Sequence, residues 1–346
     1  MARPAGDRRV TPLADGCDQP LVQRHDTVLL DLDGVLYVGP NAVPGAPDAV
    51  AAVRAAGVGA AFVTNNAART PQTVAAHLTD LGILARPEDV VTSAQAVAAL
   101  VAAAVPAGSP VLVVGGEGLA VALSEEGLRA VSSAADRPRA VVQGFSPDVG
   151  WRQLAEATYA VRAGVPWYAS NLDSTLPTAA GVAPGNGALV GVVAAATGRM
   201  PVVAGKPATP LHDEAVRRTH SLAPLVVGDR LDTDIQGAFN AGVPSLLVLT
   251  GLAGPVDVVL AGPQQRPTYV AKDLPAGLLE PHPPVRRVEG GGRRCGGWVV
   301  RARQDGIDVR GEGDPVDGLR ALAVASWEAG GPAEDDVRAA LAHLFG

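Results

Sequence analysis

Short apolar runs alternate with segments of helical period along most of this chain. The runs at 27–30, 61–64, 111–114, 140–143, 167–170, 224–228, 245–249 and 269–271 are built largely from Val, Leu and Ala. A continuous rather than alternating apolar run marks a strand buried on both faces. Between them, 71–81, 93–105, 118–126, 151–163, 187–197 and 211–219 read as helices. Strands alternating with helices predict an α/β protein built on parallel sheets. After about residue 280 the pattern changes. Pro281, Pro283 and Pro284 and the glycine run 290–292 precede a hairpin at 297–303 and 306–310 and two amphipathic helices near 315–327 and 334–345, a small folded α+β module.

Three of the runs end in polar chemistry. The first ends in Asp31-Leu32-Asp33-Gly34, the second in Thr64-Asn65-Asn66, and the run 224–228 in Asp229-Arg230-Leu231-Asp232-Thr233-Asp234. Lys206 stands before the last of these, in Gly205-Lys206-Pro207. Open parallel sheets bind ligands at the carboxyl ends of their strands, so these residues are expected to meet. Spacing then divides the chain. Asp31 and Thr64 are 33 positions apart, room for one βαβ unit, whereas Thr64 and Lys206 are 142 apart, which requires an inserted domain. The expected organisation is a flexible N-terminus over 1–24, a core over 25–100 and 202–280, an α/β cap over 101–201, and an α+β extension over 281–346.

Composition narrows the class. At 346 residues and 47% hydrophobic the chain suits two domains plus an extension. A formal net charge of -7 argues against nucleic acid or an anionic membrane as partner of the whole chain, so an anionic substrate needs local cations. The two cysteines, Cys17 and Cys295, offer no disulfide framework. Residues 1–23 lack the apolar core of a signal peptide, and no apolar stretch reaches membrane length. A cytoplasmic protein without membrane insertion is expected, and a homodimer is left open. Lys206 and Lys272 are the only lysines among 28 basic residues, a bias typical of a high-GC genome. A lysine that persists against it points to a need for a compact ammonium, at Lys206 more than at Lys272.

Hydrolysis of a phosphate monoester needs an in-line nucleophile, a proton for the leaving oxygen and neutralisation of the equatorial oxygens. Asp31 suits the nucleophile and Asp33 the acid and base. Acids from separate strand ends repel unless a cation lies between them, and an all-oxygen set from Asp31 and Asp229 suits Mg²⁺. Thr64 and the backbone amides of Asn65 and Asn66, ahead of a helix, suit phosphate oxygens, as does Lys206. The side chains of Asn65 and Asn66 read equally as turn formers.

Taken together, the four ordered motifs resemble the haloacid dehalogenase superfamily of phosphohydrolases, and their wording resembles subclass IIA over about residues 25 to 275. The resemblance implies a Rossmann-like core with a parallel sheet, a cap inserted between the second and third motifs, and Mg²⁺-dependent hydrolysis through an aspartyl phosphate. It adds the backbone carbonyl of Asp33 as a metal ligand and places Asp234 at the metal, mainly behind the ligands. The loop 170–177 resembles the subclass's substrate-facing loop, in which Asn171 and Asp173 either bind substrate or brace the loop. Asp232 reads better as a solvated acid.

Resemblance to actinobacterial members with a C-terminal extension implies a small phosphorylated metabolite as partner, with glycerol 3-phosphate as substrate. Phosphoglycolate, pyridoxal phosphate, nucleotides and aryl phosphates are the alternatives. A phosphosugar mutase is disfavoured by the single crossover between the first two motifs, and a phosphometabolite sensor by the presence of both Asp31 and Asp33. Gly115-Gly116-Glu117-Gly118 reads as a cap turn. The segment 287–292 echoes an acetyl-CoA phosphate loop, but 293–297 does not read as the helix that should follow, which favours an exposed basic hairpin over an acetyltransferase-like remnant.

Overall fold

The computed structural model describes residues 12–178, 180–303 and 306–346. Six parallel strands form the central sheet in the order Tyr269–Ala271, Ser245–Val248, Pro224–Gly228, Thr27–Leu30, Gly59–Thr64, Val90–Thr92. Thr27–Leu30 is buried along its whole length, as its unbroken apolar run requires. Leu30 lies opposite both Val227 and Phe62, so Asp31, Thr64 and Asp229 emerge at the same edge. Helices Ala46–Ala55 and Pro71–Asp80 share one apolar cluster with one face of this sheet, and Pro210–Thr219 and Ser93–Ala104 share another with the opposite face. The last of these starts at Thr92, whose hydroxyl accepts from the Gln95 amide at 3.2 Å while Gln95 Oε1 accepts from the Thr92 amide at 2.9 Å, a reciprocal cap.

A second parallel sheet runs Val202–Val203, Trp167–Ala169, Ala140–Gln143, Pro110–Val114, Arg129–Val131. Its first strand corrects the expected return to the core at 202. Val202 and Val203 pair with Tyr168 and Ala169, so the cap sheet extends two residues past the expected boundary before the chain reaches Lys206. Thr175–Thr178 and Gly181–Pro184 form a separate antiparallel hairpin where a loop was expected.

The N-terminal segment is also corrected for residues 12–24; residues 1–11 lie outside the described residues. Leu13, Cys17 and Leu21 are buried, and Cys17 exchanges backbone hydrogen bonds with His282 at 2.6 and 2.8 Å. These apolar side chains tie the start of the chain to its C-terminal third.

The extension folds as an antiparallel sheet of Arg286–Arg287, Arg293–Cys295, Trp298–Arg303 and Gly306–Arg310 with helices Pro315–Glu328 and Glu334–Phe345. The hairpin is exposed on one face only. Its other face buries Trp298 and Val300 in a cluster that also holds Leu247, Val258 and Val270 of the core. Arg320 fastens this join, donating to the Val270 carbonyl at 2.8 Å and facing His282 Nδ1 at 3.3 Å, while His282 Nε2 donates to the Gly277 carbonyl at 2.8 Å.

His282 gives the join a pH dependence. Burial pushes its imidazole down to about 4, reinforced by the Arg320 charge and opposed by the Gly277 carbonyl. Above about pH 6.5 folded and unfolded chains both carry a neutral ring, and its contribution to stability is complete. As pH falls from 6.5 toward 4 the unfolded chain binds a proton that the folded chain refuses, and stability is lost. The expected loss from this residue is about 3 kcal/mol. Urea unfolding at several pH values checks it, with a visibly flatter profile for His282→Gln; identical profiles would contradict the assignment.

Candidate active site

Asp31 follows the last residue of the central strand, its amide held by the Val227 carbonyl at 2.9 Å. Lys206 reaches it from the far side of the cap insertion. Lys206 is 4% exposed, and its ammonium pairs with Asp31 Oδ1, donates to Asp234 Oδ1 at 2.6 Å and touches the Val63 carbonyl at 3.5 Å. Burial alone would lower its pKa, but Asp234 and Asp31 outweigh burial and keep it firmly protonated.

Asp229 completes the group. One carboxylate oxygen from each of Asp31, Asp229 and Asp234 lies within 4.8 Å of the others. Asp229 Oδ2 accepts from the Leu252 amide at 2.8 Å. Its Oδ1 is buried and has no hydrogen-bond partner among the described residues. Burial and the neighbouring Asp234 push this carboxyl up to about 6. Burial also raises Asp31 well above the ordinary carboxylate range, with Asp234 and Asp229 adding to the effect and Lys206 opposing it. One ammonium does not balance two buried carboxyl groups and a third that is mostly enclosed, and an orphaned carboxylate oxygen loses its hydration without replacement. Hard oxygen donors with residual negative charge and one open lone pair fit a divalent cation.

Asp234 is placed differently. Its Oδ1 accepts from Lys206 and its Oδ2 from the Arg230 amide at 3.2 Å, so both oxygens already have partners. Two glycines make room for the cluster. A Cβ on Gly34, whose φ is +79°, or on Gly251 would overlap the Asp229 carboxylate.

Asp33 lies at the exposed rim. Partial enclosure raises its carboxyl above the usual range, against the opposing charges of Arg69 and Lys206 and a hydrogen bond from Tyr37. Thr64 is buried, and its hydroxyl accepts from the Asn66 amide at 3.1 Å, closing a tight turn.

The remaining predicted residues are brought to the same seam as braces. Asn65 Oδ1 accepts from the Lys206 amide at 2.8 Å, and its Nδ2 donates to the Lys206 carbonyl and to Asp173 Oδ2, each at 3.2 Å. Asn66 Oδ1 accepts from the Ala68 amide at 2.9 Å. Asn171 Nδ2 donates to the Asn65 carbonyl at 2.7 Å, and its Oδ1 accepts from the Asp173 amide at 3.2 Å. The alternative that these side chains hold the loops together therefore carries the geometry. Asp173 keeps a perturbed carboxyl, raised by burial and opposed by Arg230 and Asn65.

Sequence reasoning passed over Arg230, which forms a fork to Asp232 at 2.8 and 3.1 Å and acts on Asp173 through its charge. A lone cation within a run of acids was the available signal. It also passed over the loop 250–253, which cradles Asp229 and carries no titratable side chain.

Comparison with known proteins gives a consistent pattern. A profile of haloacid dehalogenase-like hydrolases matches residues 28–129, and a HAD-hydrolase-like profile matches 203–276. A GCN5-related N-acetyltransferase-like profile matches 295–344, which favours the acetyltransferase-like reading of the extension over the basic hairpin; the match begins after the glycine run that suggested it. The D-glycerol 3-phosphate phosphatase of Mycobacterium tuberculosis is 48% identical over 315 residues, covering 89% of this chain and 88% of that protein. The crystal structure of a glycerol phosphate phosphatase from the same organism, in complex with magnesium, superposes with a TM-score of 0.85 at 44% identity over 94% of this chain and 99% of that one. The acid sugar phosphatase of Staphylococcus aureus is 35% identical over 261 residues, 75% of this chain and 99% of that protein.

Proposed function

The chain belongs to the haloacid dehalogenase-like hydrolases, and from that premise we propose that it is a Mg²⁺-dependent phosphatase converting glycerol 3-phosphate to glycerol and phosphate. The observation that carries the reading is the convergence of Asp31, Asp229 and Asp234 around Lys206, with the Asp229 oxygen left open.

Asp31, Asp229 and the Asp33 carbonyl would hold a divalent ion, with Asp234 behind them, and the ion would supply positive charge to offset the negative charge developing on the phosphoryl oxygens. The chain's own groups account for the remaining steps. An Asp31 carboxylate oxygen bonds to phosphorus as the ester P–O bond breaks, and Asp33 gives its proton to the leaving alkoxide. Burial raises the Asp33 carboxyl above the usual range, which makes it a readier proton acceptor than a free aspartate. Water then attacks the aspartyl phosphate, Asp33 takes the water's proton, and Asp31 is released with orthophosphate. Lys206 and the Thr64 hydroxyl face the phosphoryl group, and the Lys206 charge favours the ionised form of Asp31 against burial.

The cap selects the leaving group. Asp173 and Arg230 place opposite charges beside the seam, and a small triol can hydrogen-bond to both. The cytoplasmic setting of the proposal accords with two buried, unpaired cysteines, and no helix among the described residues is long and apolar enough to cross a membrane.

Initial rates on glycerol 3-phosphate, phosphoglycolate, pyridoxal phosphate, a nucleoside monophosphate and an aryl phosphate test the assignment. Glycerol 3-phosphate is expected to lead in kcat/KM by about tenfold or more, the discrimination available when a site hydrogen-bonds substrate hydroxyls. Comparable turnover of all five would refute the substrate and leave the chemistry standing.

A further inference from the structure

We propose that the outward face of the C-terminal sheet is a binding site for a compact soluble anion carrying two or more phosphates. Strand alternation defines the face. Arg293, Cys295, Trp298 and Val300 are buried, so Arg294, Val299, Arg301 and Arg303 point the other way. Arg286 lies opposite Arg294, Arg294 opposite Val299, and Val299 opposite Arg310, a row across the four strands in which three of the four positions are arginine. Arg301 and Arg303 extend it toward the hairpin end. There the surface forms a concavity of about 570 Å³ lined by Arg301, Arg303, Gly306, Ile307, Asp308 and Arg310.

Five arginines thus share one sheet face in a chain of net charge -7. Like charges directly opposite on neighbouring strands are destabilising, and Arg286 and Arg294 are such a pair. Asp308 is the one acid within the four strands, and it bridges Arg301 at 3.7 Å and Arg310 at 3.0 Å. It thereby orients two guanidinium groups and cannot neutralise five. Arg286, Arg294 and Arg303 meet no acid among the described residues.

The chemistry selects the ligand class. Guanidinium groups bind phosphate oxygens in pairs, and strands about 5 Å apart set several such forks beyond the span of a single phosphate. A membrane surface needs apolar anchors as well as charge, and this face offers no large exposed apolar side chain. Single-stranded nucleic acid needs aromatic platforms, and the one aromatic residue of the sheet, Trp298, is buried on the other face. A small polyphosphate matches what remains. The inference is independent of the phosphatase assignment.

Titration calorimetry on the full chain with inorganic tripolyphosphate, in buffer free of divalent cations, tests it. One site per chain is expected, with a dissociation constant of about 10 μM or tighter at low salt, weakening as salt rises. Orthophosphate should bind about tenfold more weakly, and the double variant Arg303→Ser/Arg310→Ser should lose about tenfold or more for tripolyphosphate. Both residues are exposed, so the variant should melt like the parent and hydrolyse glycerol 3-phosphate at the parent rate. The proposal is overturned if the variant binds tripolyphosphate as well as the parent, if no binding is seen at about 1 mM, or if anionic vesicles or DNA bind through these arginines while tripolyphosphate does not.

Discussion

Asp31→Asn is expected to fold normally and to lose about 10⁴-fold or more in turnover. An amide oxygen still accepts from the Lys206 ammonium, and Lys206 keeps its ion pair to Asp234, so the buried polar group survives the change. The substitution also removes one of three mutually repelling carboxyl groups, which offsets the weakened pair. What disappears is the nucleophile, since an amide does not form a stable bond to phosphorus. Steady-state rates beside melting curves separate the two effects. A folded Asp31→Asn protein within tenfold of the parent rate would rule out the covalent route.

Lys206→Met should damage both stability and rate. The ammonium is buried between Asp31 and Asp234, and replacing it with a thioether of similar length leaves a buried carboxylate and a mostly enclosed one uncompensated. Removing one partner of such a group is worth about 3 to 5 kcal/mol. The rate should fall by about 10²- to 10³-fold, because charge that faced the phosphoryl oxygens is gone. Mg²⁺ should restore much of the stability and little of the rate, since a divalent ion relieves repulsion among the acids without replacing the ammonium at its position. Denaturant unfolding in chelator and in Mg²⁺, beside rate measurements, reads both. A variant as stable as the parent in chelator would show that Lys206 does not balance the acids.

The parts of the site on strand ends were legible in the sequence because strand register carries them together. Leu30 opposite Phe62 and Val227 makes the convergence of Asp31, Thr64 and Asp229 a consequence of three apolar runs. The inserted domain was legible from spacing for a similar reason, since no crossover uses 142 residues. Polar side chains in loops were less legible. Asn65 joins Lys206 and Asp173, residues 141 and 108 positions away, and an amide's role depends on whichever partner the fold delivers.

Boundaries failed where packing overrides composition. Val202–Val203 reads as the start of the core, yet its neighbour in space is Trp167–Ala169. The N-terminal segment reads as polar and flexible, yet Leu13, Cys17 and Leu21 find apolar partners. The extension reads as an appendage, yet Arg320 reaches the backbone of Val270 in the central sheet. Each case turns on a contact with sequence-distant residues that no local pattern announces.

The central claim is that Asp31 and Asp229, with Asp234 behind them, converge to hold a divalent cation, and the most direct measurement is turnover of glycerol 3-phosphate after exhaustive chelation, followed by titration with Mg²⁺, with the thermal midpoint recorded on the same samples. The account predicts that chelation abolishes turnover, and that rate and midpoint rise together as Mg²⁺ is added. Undiminished turnover in chelator, with a midpoint indifferent to Mg²⁺, would contradict it.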